Sequence, residues 1–251
     1  RHAVIYNKAS RRRTVKMFFG HEFEIYESHR GDTAYYDPRN ASVVHYNGKR
    51  VFLVNGVTNA GKGFDEYTTG IFRIEGKEGS YRDAEDGVLS KNPIEHGPSD
   101  SVIGFSFELD PGEQTDVYYW MAAGESIKEA HELNAYVLGK GPEHLMRTTH
   151  DFWRAWSTKQ DFTFYGLDEN IVSLFKKSLF VVRVHADNRG AILASGDSDM
   201  LQNGRDTYGY MWPRDASFSA MALEMAGDPH VARRFFEFCN DIVTDDGYFM
   251  H

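Results

Sequence analysis

Apolar and polar residues alternate through the first half of the chain and then settle into helical spacing. Between Thr14 and Phe19, the residues Val15, Met17 and Phe19 fall on one face and Lys16 on the other, the period of a half-buried strand. Similar short runs occur at Ala3 to Tyr6, Phe23 with Ile25, Val51 to Val54, Gly70 to Gly76, Val102 to Leu109 and Val117 to Ala122. Turn-forming clusters separate them at Asn47-Gly48, Asn59 to Gly63 and Asp110-Pro111-Gly112. Many short strands joined this way predict an antiparallel β-sandwich over residues 1–123. The polar stretch from Lys77 to Asp100, marked by Gly and Pro, reads as a long loop.

The period changes after Gly124. Ile127, Ala130, Asn134, Val137 and Leu138 form one helical stripe, and Gly141-Pro142 breaks it. Pro142 opens a second helix, because a missing N–H costs nothing in a first turn; Leu145, Phe152 and Trp156 mark its buried side. This pair predicts a helical linker over 124–166. Asp168 is placed to cap a third helix, whose stripe of Ile171, Leu174, Phe175, Leu179 and Val182 is thickened by Val172, Phe180, Val181 and Val184. A helix apolar on most sides expects cover on most sides. Asn188 to Tyr210 is a loop rich in Gly, Ser and Asp, long enough to be functional. Asp215 to Ala226 is a small-residue helix closed by Gly227. Asp228-Pro229 starts another, with Val231, Phe235, Phe238 and Ile242 inward, and Asp246-Gly247 turns the chain out of it. Helical hairpins with loops gathered on one side predict an α/α toroid over 167–251. The helices present are too few to close a ring. The expectation is therefore an α+β multidomain protein whose helical part is truncated or completed by another chain.

At 41% hydrophobic residues the chain can build a packed core. Its 28 basic and 37 acidic residues leave a net charge of −9, and no long basic patch appears, which argues against a nucleic-acid partner. The cluster Arg11-Arg12-Arg13 reads as the solvated start of a strand. No apolar stretch approaches the ~20 residues of a membrane-spanning helix. Cys239 is the one cysteine, so no internal disulfide forms; this leans toward the cytoplasm, and its neighbours Phe235, Phe238 and Ile242 make it a buried thiol. The chain opens on Arg1 rather than Met, so the lack of a leader carries no weight. Asp83, Glu85 and Asp86 read as solvated loop acids, not as a cation site.

The run Tyr208-Gly209-Tyr210-Met211-Trp212-Pro213-Arg214-Asp215 concentrates the candidate chemistry. Aromatic faces stack on the apolar faces of a pyranose. Arg offers a rigid fork of donors and Asp offers acceptors only, a pair suited to neighbouring hydroxyls. Pro213 fits a first helical turn, which puts Arg214 and Asp215 at a helix N-terminus. The same residues also suit an aromatic packing cluster followed by a solvated ion pair, and the chemistry alone leaves both readings open.

Arg183-Val184-His185, Gly190-Ala191-Ile192 and Ala194-Ser195-Gly196-Asp197 precede this run; Gly227, Phe235-Phe236 and Asp246-Gly247 follow it. Together they resemble glycoside hydrolase family 15, the family of glucoamylases, glucodextranases and some trehalases. Tyr36-Asp37-Pro38 and Trp120-Met121-Ala122-Ala123-Gly124 look like the β-domain of its bacterial and archaeal members. The resemblance implies a supersandwich-like domain lacking its first strands, a helical linker and the start of an (α/α)6 six-hairpin barrel. It implies exo-acting, inverting release of glucose from the non-reducing ends of α-glucans or α-glucosides. Arg214 and Asp215 would hold hydroxyls of the terminal glucose, Trp212 and Tyr208 would line its ring, and Tyr210 would serve the pocket or the packing beneath. The family's acid and base are glutamates expected beyond His251, so no catalytic residue is assigned here. Glu224 and Glu237 match no catalytic motif. His185 is read as structural, and Ser195 lacks a nucleophile elbow. No cofactor is implied, and no metal-ligand cluster is evident. The expected partner is a carbohydrate: an α-glucan, a malto- or isomalto-oligosaccharide, or trehalose. Two alternatives stay open: a disaccharide phosphorylase of similar architecture, as in family 65, and a non-catalytic glucan-binding module. Linkage preference, oligomeric state and any bound ion are not set by the sequence.

Overall fold

The computed structural model describes residues 1–27, 30–159, 162–196 and 209–249. They form two compact units, Arg1–Met146 and Arg147–His251.

The first unit carries β1 (His2–Tyr6), β2 (Arg13–Glu22), β3 (Thr33–Asp37), β4 (Ser42–Asn47), β5 (Arg50–Thr58), β6 (Glu66–Ile71), β7 (Ile94–His96), β8 (Ser99–Leu109), β9 (Gln114–Gly124) and helix α1 (Ile127–Lys140). A six-stranded sheet in the order β1-β9-β5-β4-β3-β7 faces a three-stranded sheet in the order β2-β8-β6. Every pairing is antiparallel. The β2–β8 register sets Val15 opposite Phe107, Met17 opposite Phe105 and Phe19 opposite Ile103. The face predicted from alternation is thus turned onto a core of Val43, Val54, Ile103, Phe105, Phe107 and Val117.

The other face of the larger sheet is covered by α1. Ser126 caps that helix through the Glu129 amide, and the Glu129 carboxylate accepts in turn from the Glu125 N–H, a reciprocal arrangement that satisfies two end donors. Ala130 packs into a cluster with Val44, Val51, Leu53 and Ala122. Asn134 Oδ1 accepts from Asn55 Nδ2 at 3.1 Å and Trp120 Nε1 at 3.0 Å. Ile127 and Leu138, expected on the buried stripe, are exposed.

Several local expectations change. Phe23 and Ile25 do not continue a strand. Ile25–Glu27 is a 3-10 turn, held by the Ile25 N–H donating to the buried Asp32 carboxylate at 3.2 Å. The strand expected at Gly70 to Gly76 lies earlier, at β6, because Gly76 takes a left-handed turn (φ 77°). The stretch read as one long loop contains a 3-10 helix at Ser80–Asp86 and strand β7. Its acids have local partners: Asp83 accepts from the Ser90 N–H, Asp86 from the Val88 N–H, and Glu85 pairs with Arg82.

Helix α2 (Pro142–Ser157) crosses the division between the units. Phe152 on it is exposed, and Trp153 and Trp156 are its half-buried aromatics. The second unit then adds α3 (Glu169–Val184), α4 (Pro213–Met225) and α5 (Pro229–Ile242). Asp168 caps α3 through the Asn170 amide. The stripe expected to be buried on α3 is largely open, with Leu174 65% exposed. The α4–α5 hairpin buries Ala216, Ala220 and Leu223 against Val231, Ala232, Phe235 and Cys239; alanines at the contact let the helices approach closely. Gly227 (φ 81°) turns the hairpin. Its N–H reaches the Glu224 carbonyl and the Asp228 N–H reaches Leu223, the paired bonds of a Schellman ending.

Candidate functional site

A cavity of about 550 Å³ opens in the second unit between α3, the segment 192–194 and α4. Two non-local main-chain bridges build it, Ala186 with Ile192 and Leu193 with Met211. Asp187 shapes the first turn by accepting from the N–H groups of Arg189 and Ala191. Gly190 (φ 106°) completes that turn where an added Cβ would lie 2.2 Å from the Arg234 carbonyl oxygen, so the turn sits directly on α5. The Ala194 N–H then reaches the Tyr210 carbonyl at 3.0 Å. These bonds fix residues 192–194 and 211–212 beside one another.

Asp228 anchors the frame behind the cavity. It is buried (6% exposed), yet its carboxylate has three partners. Trp156 Nε1 donates at 2.9 Å, and Lys159 Nζ and Arg183 Nε lie at 3.3 and 3.9 Å. Arg183, part of the motif in the sequence, also donates to the Ala186 carbonyl at 3.3 Å. Its role here is to tie the end of α3 to the α4–α5 turn.

Trp212, Asp215, Ala216 and Ser219 line the cavity from the first turns of α4; Val181, Val182 and His185 line it from the end of α3. Asp215 stands in the first helical turn, where the helix dipole favours a carboxylate. Of the residues singled out in the sequence, Trp212 and Asp215 meet in this cavity. Arg214 is exposed and outside the lining; its carbonyl accepts from the Ser217 hydroxyl. Tyr210 is exposed and contributes its carbonyl to the bridge. Tyr208 and Asp197 lie outside the described residues. Ser219 and Val181 were not anticipated. The signal was their spacing: Ser219 is one turn after Asp215 on α4, and Val181 one turn before His185.

Among the described lining residues Asp215 is the carboxylate, and no Lys or Arg takes part. The wall therefore combines an apolar floor, an indole, hydrogen-bond acceptors and one serine hydroxyl. That suits a neutral, hydroxyl-rich ligand with an apolar face. Cys239 lies in the core beneath, its thiol pushed up by burial, which removes it from nucleophilic chemistry. Glu237 pairs with Arg233 on the exposed side of α5. No group of three or more His, Cys, Asp or Glu able to hold a metal ion occurs among the described residues. No helix there is long and apolar enough to cross a membrane.

No family model matches the chain. It is 24% identical to an uncharacterized glycosyl hydrolase of Methanocaldococcus jannaschii, across 98% of its own length and 39% of that protein's. This likeness relates the chain to the glycosyl hydrolases. Its fold matches the crystal structure of a bacterial glucoamylase complexed with acarbose, at a TM-score of 0.69 and 20% identity, over 92% of the chain and 34% of the glucoamylase. The chain thus spans about two-fifths of the one and a third of the other.

Proposed function

We propose that this chain is the substrate-holding part of an exo-acting glycoside hydrolase of the family 15 type, one that releases glucose from α-glucans or α-glucosides with inversion. The observation that carries it is the meeting of Trp212 and Asp215 in one cavity whose described lining includes no Lys or Arg. The relatedness to a glycosyl hydrolase and the fold shared with a glucoamylase support it. An indole stacks on the ring while the carboxylate accepts hydrogen bonds from adjacent hydroxyls. A sugar epimer then leaves the Asp215 acceptor without its hydroxyl once the ring covers it, and is held less well. Arg214 and the tyrosines Tyr208 and Tyr210 complete the grip once substrate is present.

Inversion needs two carboxyl groups roughly 6.5–9.5 Å apart, with water between one of them and the sugar. One protonates the glycosidic oxygen as the bond to C1 breaks. The other takes a proton from the water that attacks C1 from the opposite face, giving the free alcohol and β-glucose. We assign this pair to glutamates outside residues 1–251. The open apolar side chains on the helices, Leu174 on α3 and Met225 (79% exposed) on α4 among them, are the faces that further helices of an (α/α)6 ring would cover.

Proton NMR of the anomeric signals tests the reading. The intact protein is mixed with maltose, isomaltose or trehalose, with and without phosphate, beside an Asp215→Asn control. Fresh β-glucose without phosphate, absent from the control, is the expected result, and the preferred disaccharide names the linkage. A glucose phosphate formed only with phosphate present would mean a phosphorylase. No product in any tube would mean a binding module.

A further inference from the structure

We propose that His185 is a second ligand-binding residue of this cavity, its Nε2 accepting a hydrogen bond from a sugar hydroxyl; the proposal rests on the sugar-pocket reading above. His185 Nδ1 lies 2.7 Å from the Val181 carbonyl oxygen. A carbonyl only accepts, so Nδ1 carries the proton, and the lone pair of the neutral tautomer is then on Nε2. The main chain is held as well: the His185 N–H reaches Val182 at 3.3 Å, and its carbonyl accepts from the Leu193 N–H at 3.0 Å. Tautomer and position are both fixed from the protein side before any ligand enters.

Val181 contributes one of the last-turn carbonyls that a helix leaves without an internal partner. Capping it uses Nδ1 and makes no demand on Nε2. Yet the same ring lines the cavity with Asp215, Ser219 and Trp212. With Nε2 turned to the cavity, as proposed, it and the Asp215 carboxylate are two acceptors in a lining that also holds Trp212. The ligand that answers them is a neutral polyol presenting two hydroxyl donors and an apolar face. An anion would meet lone pairs at both positions.

Two amide variants separate binding from capping. His185→Asn sets an N–H where Nδ1 sits and removes Nε2. His185→Gln reaches toward Nε2 and gives up the cap. Thermal midpoint, kcat and KM on the disaccharide that the wild type cleaves, and D-glucose binding by calorimetry are measured on the intact protein. His185→Asn is expected to keep the wild-type midpoint while D-glucose affinity and KM worsen roughly three- to tenfold, the share of one neutral hydrogen bond. His185→Gln is expected to lower the midpoint and retain more of the affinity. Wild-type affinity and KM in His185→Asn would overturn the proposal. So would affinity losses that follow the midpoint in both variants, since capping alone would then explain them. A wild type that neither binds D-glucose nor cleaves any of the three disaccharides defeats the sugar-pocket reading itself, an outcome distinct from an active wild type with an indifferent His185→Asn.

Discussion

Mild acid is expected to loosen the sandwich through two histidines that the site does not use. His21 and His45 are buried, at 6% and 1% exposure. They share the Ser101 hydroxyl, with His21 Nδ1 at 3.0 Å and His45 Nε2 at 2.7 Å. One hydroxyl proton serves one ring, so the other ring donates its own N–H, which two neutral imidazoles satisfy. Burial pushes His21 down to about 4 and drives His45 well below its ordinary value, with the neighbouring His21 adding to the second shift. Tyr119 stacks on His21 at 5.6 Å; its hydroxyl is pushed up to about 12 by burial and supplies no negative charge. Above an unfolded-state pKa of about 6.5 the rings are neutral in both states and cost nothing. As the pH falls below it the unfolded chain takes up protons that the folded chain refuses, and stability is lost until the folded values are reached. For His21 alone the loss is about 2 kcal/mol at pH 5 and about 3 kcal/mol at pH 4, accruing at about 1.4 kcal/mol per pH unit. His45, driven down by the same burial, adds to the loss in the same direction. Urea midpoints followed by Trp120 fluorescence, with Trp153, Trp156 and Trp212 replaced by Phe, measure it at several pH values. The double variant His21→Asn, His45→Gln keeps partners for Ser101 and cannot titrate there. A wild-type profile no steeper than the variant's between pH 6.5 and 4.5 would refute the argument.

Two further changes probe the frame of the site. Gly190→Ala forces a side chain onto a left-handed backbone and against the Arg234 carbonyl. It is expected to cost about 3 kcal/mol, near the top of the range for local backbone strain, read as a lower thermal midpoint together with weakened sugar binding. Asp228→Ala strips the acceptor from Trp156, Lys159 and Arg183. Breaking a buried pair costs several kcal/mol; with the two cations partly solvated, about 2–4 kcal/mol is expected from chemical denaturation of the second unit. An unchanged midpoint in Asp228→Ala would mean that the cluster is not coupled to folding.

Much of the fold is legible in the residues, and the misses have physical causes. Val15, Met17 and Phe19 announced their strand because one face of β2 is covered. β4 announced nothing, because Ser42, Val43, Val44 and His45 are all buried, with the sandwich core on one side and the α1 face on the other. A strand covered on both sides loses its alternation. β7 spans three residues and has no period to read. On α3 the spacing correctly identified an apolar stripe, but burial depends on what lies against it, and periodicity cannot supply that. Pro213, Gly227 and Asp168 were readable because their reasons are local: a ring that fixes φ, a missing Cβ and a carboxylate that caps.

The site divides along the same line. Trp212 and Asp215 stand three residues apart, and a single helix start brings them together, so sequence alone could pair them. His185 reaches them only because residue 193 bridges residue 211 and because the turn at Gly190 rests on α5, contacts that no local pattern encodes. The resemblance read in the sequence drew attention to it at the helix end without revealing its company. The described wall that results contains acceptors, an indole and one hydroxyl. On the glycosidase reading it holds a sugar, while both proton transfers fall to groups from elsewhere. Substitutions in 181–219 should therefore act first on which sugar is held and how tightly. On the proposed reading Asp215 is the exception, because the hydroxyl it would hold lies next to the bond that breaks and would shape the charge that develops there. A fall in kcat for Asp215→Asn, set against a change mainly in KM for His185→Asn, would distinguish the two acceptors by their distance from the reacting carbon.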